Sequence, residues 1–191
     1  PLAAGAARRA YPPRVEQLIV SRMANGGPEI FASVQGEGVS AGLPSTFVRL
    51  AICNLRCEWC DTAYTWDWSR FDRDEQTLML APGAVAVEVA CREPSNVVIT
   101  GGEPLLQRRQ LAPLARMLKD AGYRIEVETN GTVAPGPLAA LVDQWNVSPK
   151  LAHSGNAGLA RVRPDALHAL ADTGRAWLKF VVRDPGDPLG E

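Results

Sequence analysis

The stretch "CNLRCEWCDTAYTW", residues 53–66, holds three of the four cysteines of this 191-residue chain. Cys53, Cys57 and Cys60 follow a C-x3-C-x2-C spacing, which on a loop presents three thiolates to one metal centre. Cysteines this close together do not form a disulfide framework, because only one other cysteine exists to pair with them. The pattern indicates reduced thiols that hold a metal, and a closed structural site would need a fourth ligand.

The fourth ligand is the open question for this motif. A zinc site could recruit His153 or His168, but the chain has no second C-x2-C pair and no H-x3-H partner. Cys91 lies in a predicted helix among apolar residues, which predicts a buried structural thiol. An iron–sulfur cube held by three thiolates keeps one iron open for another ligand, and an open position indicates chemistry rather than structure.

Predicted strands precede the cysteine loop and three other unusual loops. "TFVRL" (46–50) is a β-branched and aromatic run that leads into the cysteines, and "NVVIT" (96–100) leads into "GGEP". Residues 123–129 end in "NGT", and residues 145–148 end in "PK". Ligands of α/β proteins bind beyond the carboxyl ends of parallel strands, so the four loops are expected to share one face.

Helices are predicted between the strands, at residues 82–92, 107–121, 137–143 and 164–173, and a last strand at residues 176–182. In the second helix, apolar residues recur at i, i+3, i+4 and i+7, namely Leu111, Leu114, Ala115 and Leu118. Strands that alternate with helices form right-handed βαβ units. The predicted fold class is therefore α/β, with a parallel sheet that is open or curled toward a barrel.

The composition predicts one globular domain without affinity for nucleic acid or membrane. Hydrophobic residues make up 46% of the chain, enough to bury a core, and the net charge of -1 creates no positive field for phosphates. No apolar run approaches the roughly 20 residues that cross a bilayer, and the N-terminus lacks a secretory signal, which predicts a cytoplasmic protein. Residues 1–22 are predicted to be an extension of uncertain order before a domain at residues 23–191.

Two motifs together resemble the signature of radical S-adenosylmethionine enzymes. The first is the cysteine spacing with an aromatic residue, Trp59, before the last cysteine, and the second is "TGGEP" at residues 100–104. The resemblance implies a 4Fe–4S cluster whose open iron binds the amino and carboxylate groups of S-adenosylmethionine, with Glu103 receiving the ammonium. It also implies that the reduced cluster cleaves this cofactor to a 5'-deoxyadenosyl radical, which takes a hydrogen atom from the substrate.

A longer set of strings is similar to the 7-carboxy-7-deazaguanine synthase family. The strings are "EIFASVQGEG" (29–38), "FVRL" (47–50), "CDTAYTW" (60–66), "TGGEPLLQ" (100–107), "ETNGT" (128–132), "VSPK" (147–150) and "KFVV" (179–182). The resemblance implies conversion of 6-carboxy-5,6,7,8-tetrahydropterin to 7-carboxy-7-deazaguanine, with ring contraction and loss of ammonia, on the route to queuosine and other deazapurines. It further implies an incomplete TIM-like barrel of parallel strands, a homodimer, and a reducing partner such as flavodoxin or ferredoxin.

Two other functions are compatible with the cysteine motif. A glycyl-radical activase shares the signature but acts on a protein substrate. A non-catalytic zinc-binding module would use the same thiols to stabilise its fold. Stoichiometric zinc, or a glycyl radical formed on a partner, would distinguish these functions from the synthase.

The family resemblance assigns site residues in three groups. Cys53, Cys57 and Cys60 hold the cluster, and Thr62 offers a hydroxyl to Mg2+. The cofactor-binding residues are Trp59, Cys60, Asp61, Gly102, Glu103, Ser148, Pro149 and Lys150. The substrate-binding residues are Val34, Gln35, Gly36, Glu37, Arg49 and Thr100, among which the planar fork of Arg49 suits a substrate carboxylate.

The sequence departs from the family pattern at two places. Ile52 stands before the first cysteine, where the family has glycine, and a β-branched residue does not freely adopt a positive φ. We therefore expect a variant geometry for the cysteine loop, with the cluster retained. Family members also continue beyond the "KFVV" strand, whereas this sequence stops at Glu191. We therefore expect a chain that lacks the family's C-terminal segment, either by truncation or as a divergent short form.

Overall fold

Short runs of β-branched and apolar residues form the strands of a mixed sheet, in a computed structural model that describes residues 17–183. The strands are β1 (Leu18–Ser21), β2 (Ile30–Val34), β3 (Pro44–Leu50), β4 (Thr77–Leu80), β5 (Asn96–Gly101), β6 (Arg124–Thr129), β7 (Gln144–Val147) and β8 (Ala176–Leu178). The helices are α1 (Arg73–Gln76), α2 (Pro82–Ala90), α3 (Arg108–Asp120), α4 (Gly158–Arg161) and α5 (Pro164–Ala171). Single 3-10 turns lie at Gly38–Ser40, Ala63–Thr65, Pro104–Gln107, Gly136–Leu138 and Ala152–Ser154.

The sheet has the strand order β4-β1-β3-β5-β6-β7-β8, with β2 paired to β3. Strands β3, β5, β6, β7 and β8 are parallel, whereas β1, β2 and β4 pair antiparallel. The α/β class and the parallel strands before the four loops are confirmed. The sheet is mixed rather than purely parallel, because three short strands extend it on the side of β3.

Several predicted boundaries were wrong, for reasons visible in the structure. β1 lies in the segment predicted as an extension, so residues 17–22 belong to the sheet region, and residues 1–16 lie outside the described residues. The helix predicted at 137–143 is a single turn, because the backbone N–H of Asp143 already pairs with the carbonyl of Ile125 in β6. β8 ends at Leu178 rather than residue 182, since its partner β7 ends at Val147.

One face of the sheet is apolar and packs against α2 and α3. The inward residues of the parallel strands include Val48, Ile99, Val127 and Trp145, all of them buried. The predicted helical stripe is confirmed: Leu111, Leu114, Ala115 and Leu118 of α3 are buried in the same cluster. Because strand side chains alternate in direction, the opposite face carries the polar residues of the same strands.

That polar face is continuous across three strands. Thr100 of β5, Glu128 of β6 and Asn146 of β7 lie on it, and the last two are register partners. Glu126, also on this face, is fully buried and accepts a hydrogen bond from Asn146 Nδ2 at 3.1 Å. The polar side chains of the sheet therefore lie on the face away from the helices, next to the loops at the carboxyl ends of the strands.

Cys91 corrects one prediction made from helical packing. It lies at the C-terminal end of α2 and is exposed, not buried. The helix ends at Ala90, two residues earlier than predicted, and Cys91 is its exposed C-cap residue. Within residues 17–183, no helix is long and apolar enough to cross a membrane.

Candidate active site

The four loops predicted to share a face form the wall of one cavity. The cavity is lined by Cys53, Leu55, Cys57, Trp59, Cys60, Asp61, Thr62, Trp66, Thr100, Gly101, Gly102, Glu128, Thr129, Asn130, Asn146, Ser148, Lys150 and Lys179. These residues follow β3, β5, β6 and β7 or end them, and Lys179 follows β8. The prediction from the carboxyl-end rule is therefore confirmed.

The three cysteines of the first loop lie on this wall, each with an N–H donor near its sulfur. The pairs are Leu55 N to Cys53 Sγ at 3.4 Å, Trp66 Nε1 to Cys60 Sγ at 3.3 Å, and Asn156 Nδ2 to Cys57 Sγ at 3.3 Å. N–H donors around sulfur are a feature of iron–sulfur sites, where they stabilise charge on the cluster.

The three thiols do not converge closely enough to hold a single metal ion. Among residues 17–183, no three His, Cys, Asp or Glu side chains form a group that could hold one metal ion. Zinc needs its sulfur ligands roughly 2.3 Å from a common centre, whereas a 4Fe–4S cube is wider and accepts thiols spread along a wall. Of the two histidines considered for zinc, His153 lies beside Trp59, with ring centroids 5.9 Å apart and the rings tilted by 35°, and His168 lines a separate apolar cavity.

Burial keeps two of these thiols protonated until a metal displaces the proton. It raises the pKa of Cys53 to about 12. Burial also raises the pKa of Cys57, although Lys150 and the hydrogen bond from Asn156 oppose the shift. Metal binding then releases protons, as it does wherever thiolates are ligands.

Ile52, the residue before the first cysteine, has φ 69° and is the only non-glycine residue of the described chain with positive φ. The expectation that Ile52 would avoid a positive φ is therefore wrong, because it takes the left-handed conformation that glycine adopts freely. Two hydrogen bonds hold it, from Ile52 N to the Thr65 carbonyl at 2.7 Å and from Glu103 N to the Ile52 carbonyl at 2.8 Å. A β-branched residue in this conformation costs about 1–2 kcal/mol, so the surrounding contacts impose the turn.

A pair of substitutions measures this strain. Ile52→Gly and Ile52→Ala remove the same apolar contacts, but only glycine accepts a positive φ without cost, so we expect the glycine variant to be more stable by about 1 kcal/mol. Chemical denaturation gives the difference in free energy of unfolding. The control pair is Val87→Gly and Val87→Ala in α2, where we expect the alanine variant to be more stable by about 1 kcal/mol. If alanine were more stable than glycine at position 52 as well as at position 87, the turn at Ile52 would not be strained.

The GGEP loop packs directly on the cysteine loop. Gly102 N donates to the Leu50 carbonyl at 3.0 Å, and a Cβ at Gly102 would overlap the Ile52 carbonyl oxygen. Glycine is therefore required here for close approach of two backbones rather than for a turn. The contact brings the backbone of Gly102 to the cavity wall beside the thiols.

Glu103 does not lie on the cavity wall, in contrast to its predicted contact with the cofactor. It is fully buried and accepts hydrogen bonds from Leu105 N at 2.9 Å, Thr129 Oγ1 at 2.8 Å and Asn130 N at 2.7 Å. Burial raises the pKa of its carboxyl, although these three donors stabilise the charged form. In this arrangement Glu103 joins the loop after β5 to the loop after β6.

A polar recess on the cavity wall centres on Glu128, which stands in the ETNGT motif but was not among the predicted site residues. Its two carboxylate oxygens accept from Thr100 Oγ1 at 2.6 Å and from Gln35 Nε2 at 3.1 Å. Both donors were predicted substrate residues, and Glu128 brings them together. The sequence did carry a signal for it. Glu128 stands two residues after the buried Glu126, and side chains two residues apart lie on the same face of a strand.

Arg49 lies away from the cavity wall and is already paired. Its Nε donates to Glu29 Oε1 at 2.7 Å, and the Tyr64 hydroxyl donates to the same carboxylate at 3.0 Å. Burial lowers the pKa of Arg49, but the Glu29 carboxylate outweighs it and the net shift is upward. Burial raises the pKa of Tyr64 to about 12. Glu29 and Tyr64 are functional candidates that the sequence did not reveal.

The remaining substrate residues form an exposed loop beside the cavity. Val34, Gly36 and Glu37 are exposed and do not line it, whereas Gln35 is buried beneath the loop. Glu37 forms an ion pair with Lys179, which does line the cavity. The loop therefore meets the site through Gln35 on one side and Glu37 on the other.

The predicted cofactor residues after β7 divide between two cavities. Lys150 Nζ donates to Ser148 Oγ at 3.0 Å and lies 5.5 Å from the centre of the Trp59 ring. Burial lowers the pKa of Lys150, and the neighbouring Cys57 opposes the shift. Pro149 faces the apolar cavity beside α5, away from the thiols.

These residues fit a 4Fe–4S cluster with S-adenosylmethionine beside it. The three thiols share one wall, and each sulfur has an N–H donor. Trp59 Nε1, on the same wall, is buried without a hydrogen-bond partner among the described residues. An unpaired buried N–H is costly unless a ligand accepts from it. Asp61 and Thr62 lie next to Cys60 on the wall, and Thr62 Oγ1 is 3.7 Å from its sulfur.

Comparisons with known proteins show the family of this chain. The family model of the radical SAM superfamily matches residues 48–165. The 7-carboxy-7-deazaguanine synthase of Hyperthermus butylicus is 46% identical over 158 residues, covering 81% of this chain and 63% of the relative. That of Pyrobaculum aerophilum is 44% identical over 161 residues, covering 83% and 67%. The crystal structure of QueE from Escherichia coli is similar with a TM-score of 0.57 and 24% identity, covering 86% of this chain and 84% of that one, and supports the fold.

The chain belongs to the radical SAM superfamily and, within it, to the 7-carboxy-7-deazaguanine synthase family. A 4Fe–4S cluster and S-adenosylmethionine are the cofactors of this superfamily. The chain spans about two thirds of the length of the curated relatives it matches, 63% of one and 67% of another.

Proposed function

We propose that this protein is a radical SAM lyase that converts 6-carboxy-5,6,7,8-tetrahydropterin to 7-carboxy-7-deazaguanine with release of ammonia, in queuosine or deazapurine biosynthesis. The observation that carries the proposal is one cavity that joins the three thiols to the Glu128 recess. The first part suits a cluster and S-adenosylmethionine, and the second suits a flat, polar heterocycle. Named synthases with up to 46% identity support the same reaction.

The cysteine loop and the GGEP loop would hold the cofactors. Cys53, Cys57 and Cys60 bind the cluster, which together with S-adenosylmethionine supplies a radical that abstracts hydrogen. The exposed backbone edge at Gly102 and the indole N–H of Trp59 orient S-adenosylmethionine, with Asp61, Ser148 and Lys150 around it. Glu103 and Pro149 act as positioning residues, since neither lines this cavity.

The Glu128 recess would bind the pterin. A pterin edge presents an amino group and a ring N–H, both donors that a carboxylate accepts in parallel. The neutral donors Thr100 and Gln35 hold the carboxylate in place without neutralising its charge. Arg49 uses its Nε for Glu29, and we assign its terminal nitrogens to the substrate carboxylate.

Further parts of the proposal follow from family resemblance. Thr62 is assigned to Mg2+, which prefers oxygen ligands and keeps several waters. The sheet is assigned to the incomplete barrel of this superfamily. A homodimer, an electron donor such as flavodoxin or ferredoxin, and a cytoplasmic location complete it.

The test is an anaerobic assay of the reconstituted chain. We expect about four irons and four sulfides per chain, and 7-carboxy-7-deazaguanine only when the carboxytetrahydropterin, S-adenosylmethionine and a reductant are all supplied. Omission of each in turn is the control. Stoichiometric zinc without cofactor cleavage would support a binding module instead, and cofactor cleavage without pterin turnover would favour an activase.

A further inference from the structure

The hydrogen-bond donors to the cysteine sulfurs come from different parts of the chain. The donors to Cys53 are the backbone N–H of Leu55 at 3.4 Å, which no side-chain substitution removes, and Asn130 Nδ2 at the longer distance of 4.0 Å. The donors to Cys60 and Cys57 are side chains, from Trp66 and Asn156. None of these donors belongs to the cofactor or substrate residues assigned above.

Trp66 reaches the sulfur of Cys60 from within the same loop. An indole nitrogen only donates, so the 3.3 Å contact between Nε1 and Sγ is an N–H···S hydrogen bond. The 3-10 turn Ala63–Thr65 fixes the backbone from which the Trp66 side chain extends, because Trp66 N donates to the Ala63 carbonyl at 3.1 Å. The residue also lines the cavity.

Asn156 reaches Cys57 from 99 residues further along the chain. Its Oδ1 accepts from Arg56 N at 2.9 Å, and since a backbone N–H only donates, the amide nitrogen must face the other way, toward Cys57 Sγ. A second bond, from Glu58 N to the Ser154 carbonyl at 3.1 Å, ties the same two loops together. The orientation of the donor is thus set by the fold and not by the sulfur.

We infer that Trp66 and Asn156 are positioning residues that raise the reduction potential of the cluster through their N–H···S hydrogen bonds. The inference rests on the cluster binding proposed above. A reduced cluster carries more negative charge on its ligand sulfurs than an oxidised one, so donors stabilise the reduced form more. Both side chains therefore make the cluster easier to reduce.

Trp66→Phe tests this with the ring retained and the N–H removed. In a redox titration followed by electron paramagnetic resonance, we expect the ratio of reduced to oxidised cluster at a fixed potential to fall about threefold to tenfold, where tenfold is about 59 mV for a one-electron couple. Trp68→Phe is the matched control, because this nearby indole makes no hydrogen bond to a cysteine sulfur in the part of the chain that the structure describes. Its potential should equal that of the unsubstituted protein.

A second measurement needs no substitution. In reduced protein labelled with 15N-tryptophan, and separately with amide-15N asparagine, pulsed electron paramagnetic resonance should detect hyperfine coupling between the cluster and each label. The coupling from asparagine should be dominated by Asn156, whose Nδ2 lies 3.3 Å from Cys57 Sγ, over Asn130, whose Nδ2 lies 4.0 Å from Cys53 Sγ. A cluster of four irons with unchanged potential in Trp66→Phe, or without either coupling, overturns this inference and leaves the proposed function standing. A chain that binds no iron overturns both.

Discussion

The Cys57→Ala variant is expected to lose the iron–sulfur cluster and all measurable product. Cys57 is one of three thiols on the cavity wall, and no other cysteine lies on that wall to replace it. Substitution of residues that only orient metal ligands already costs 10–100-fold, so we expect the loss of a ligand to reduce turnover by more than about 100-fold. Iron and sulfide contents per chain, measured after anaerobic reconstitution, check the first part, and the product assay checks the second.

Cys91→Ala is the matched control for this variant. Cys91 is exposed at the end of α2 and takes no part in the cavity, so its removal should leave iron content and turnover unchanged. If Cys57→Ala kept the full iron content, Cys57 would not be a ligand, and the three-thiol site would be refuted. If Cys91→Ala lost iron instead, the ligand set would be wrong.

The second large effect is expected for Gly102→Ala, which should strongly destabilise the fold. The added Cβ would overlap the backbone carbonyl of Ile52, and neither backbone can move without breaking the hydrogen bonds of β3 with the GGEP loop. Overpacking of this kind against backbone costs about 3 kcal/mol or more. Denaturant titration of the variant and the unsubstituted protein gives the difference in free energy of unfolding.

Gly83→Ala provides the comparison for an unobstructed glycine. Gly83 lies in α2, and nothing would lie within 4 Å of an added Cβ. Alanine there should stabilise the protein by up to about 1 kcal/mol, because it restricts the unfolded chain and favours helix. A Gly102→Ala variant as stable as the unsubstituted protein would show that the two loops separate more easily than the structure indicates.

Much of the arrangement could be predicted because it depends on local pattern. The strands ending in the cysteine loop, GGEP, NGT and PK are short apolar runs, and the rule for carboxyl ends then places their loops together. The stripe of α3 followed from its 3.6-residue period. The antiparallel strands β1 and β4 were missed because each has four residues, too few for a clear alternation.

The features of the site that the sequence did not reveal share one cause, which is contact between residues far apart in sequence. Ile52 has a positive φ because Thr65 and Glu103 hold its backbone, and no local preference reports that. Arg49 resembles a carboxylate receptor, and the structure pairs it with Glu29, 20 residues away. Asn156 has no local signal at all, since its role depends on packing against a loop 99 residues earlier.

The buried carboxyl of Glu103 has a further consequence for local opening of the site. It bonds to backbone N–H groups of Leu105 and Asn130 and to the Thr129 hydroxyl, so it bridges two strand ends that are only distantly connected along the chain. Neither strand end can fray without leaving buried carboxyl oxygens of Glu103 without a donor, which is costly in a dry environment. The rim that follows β5 and β6 therefore opens as a single cooperative unit or stays shut.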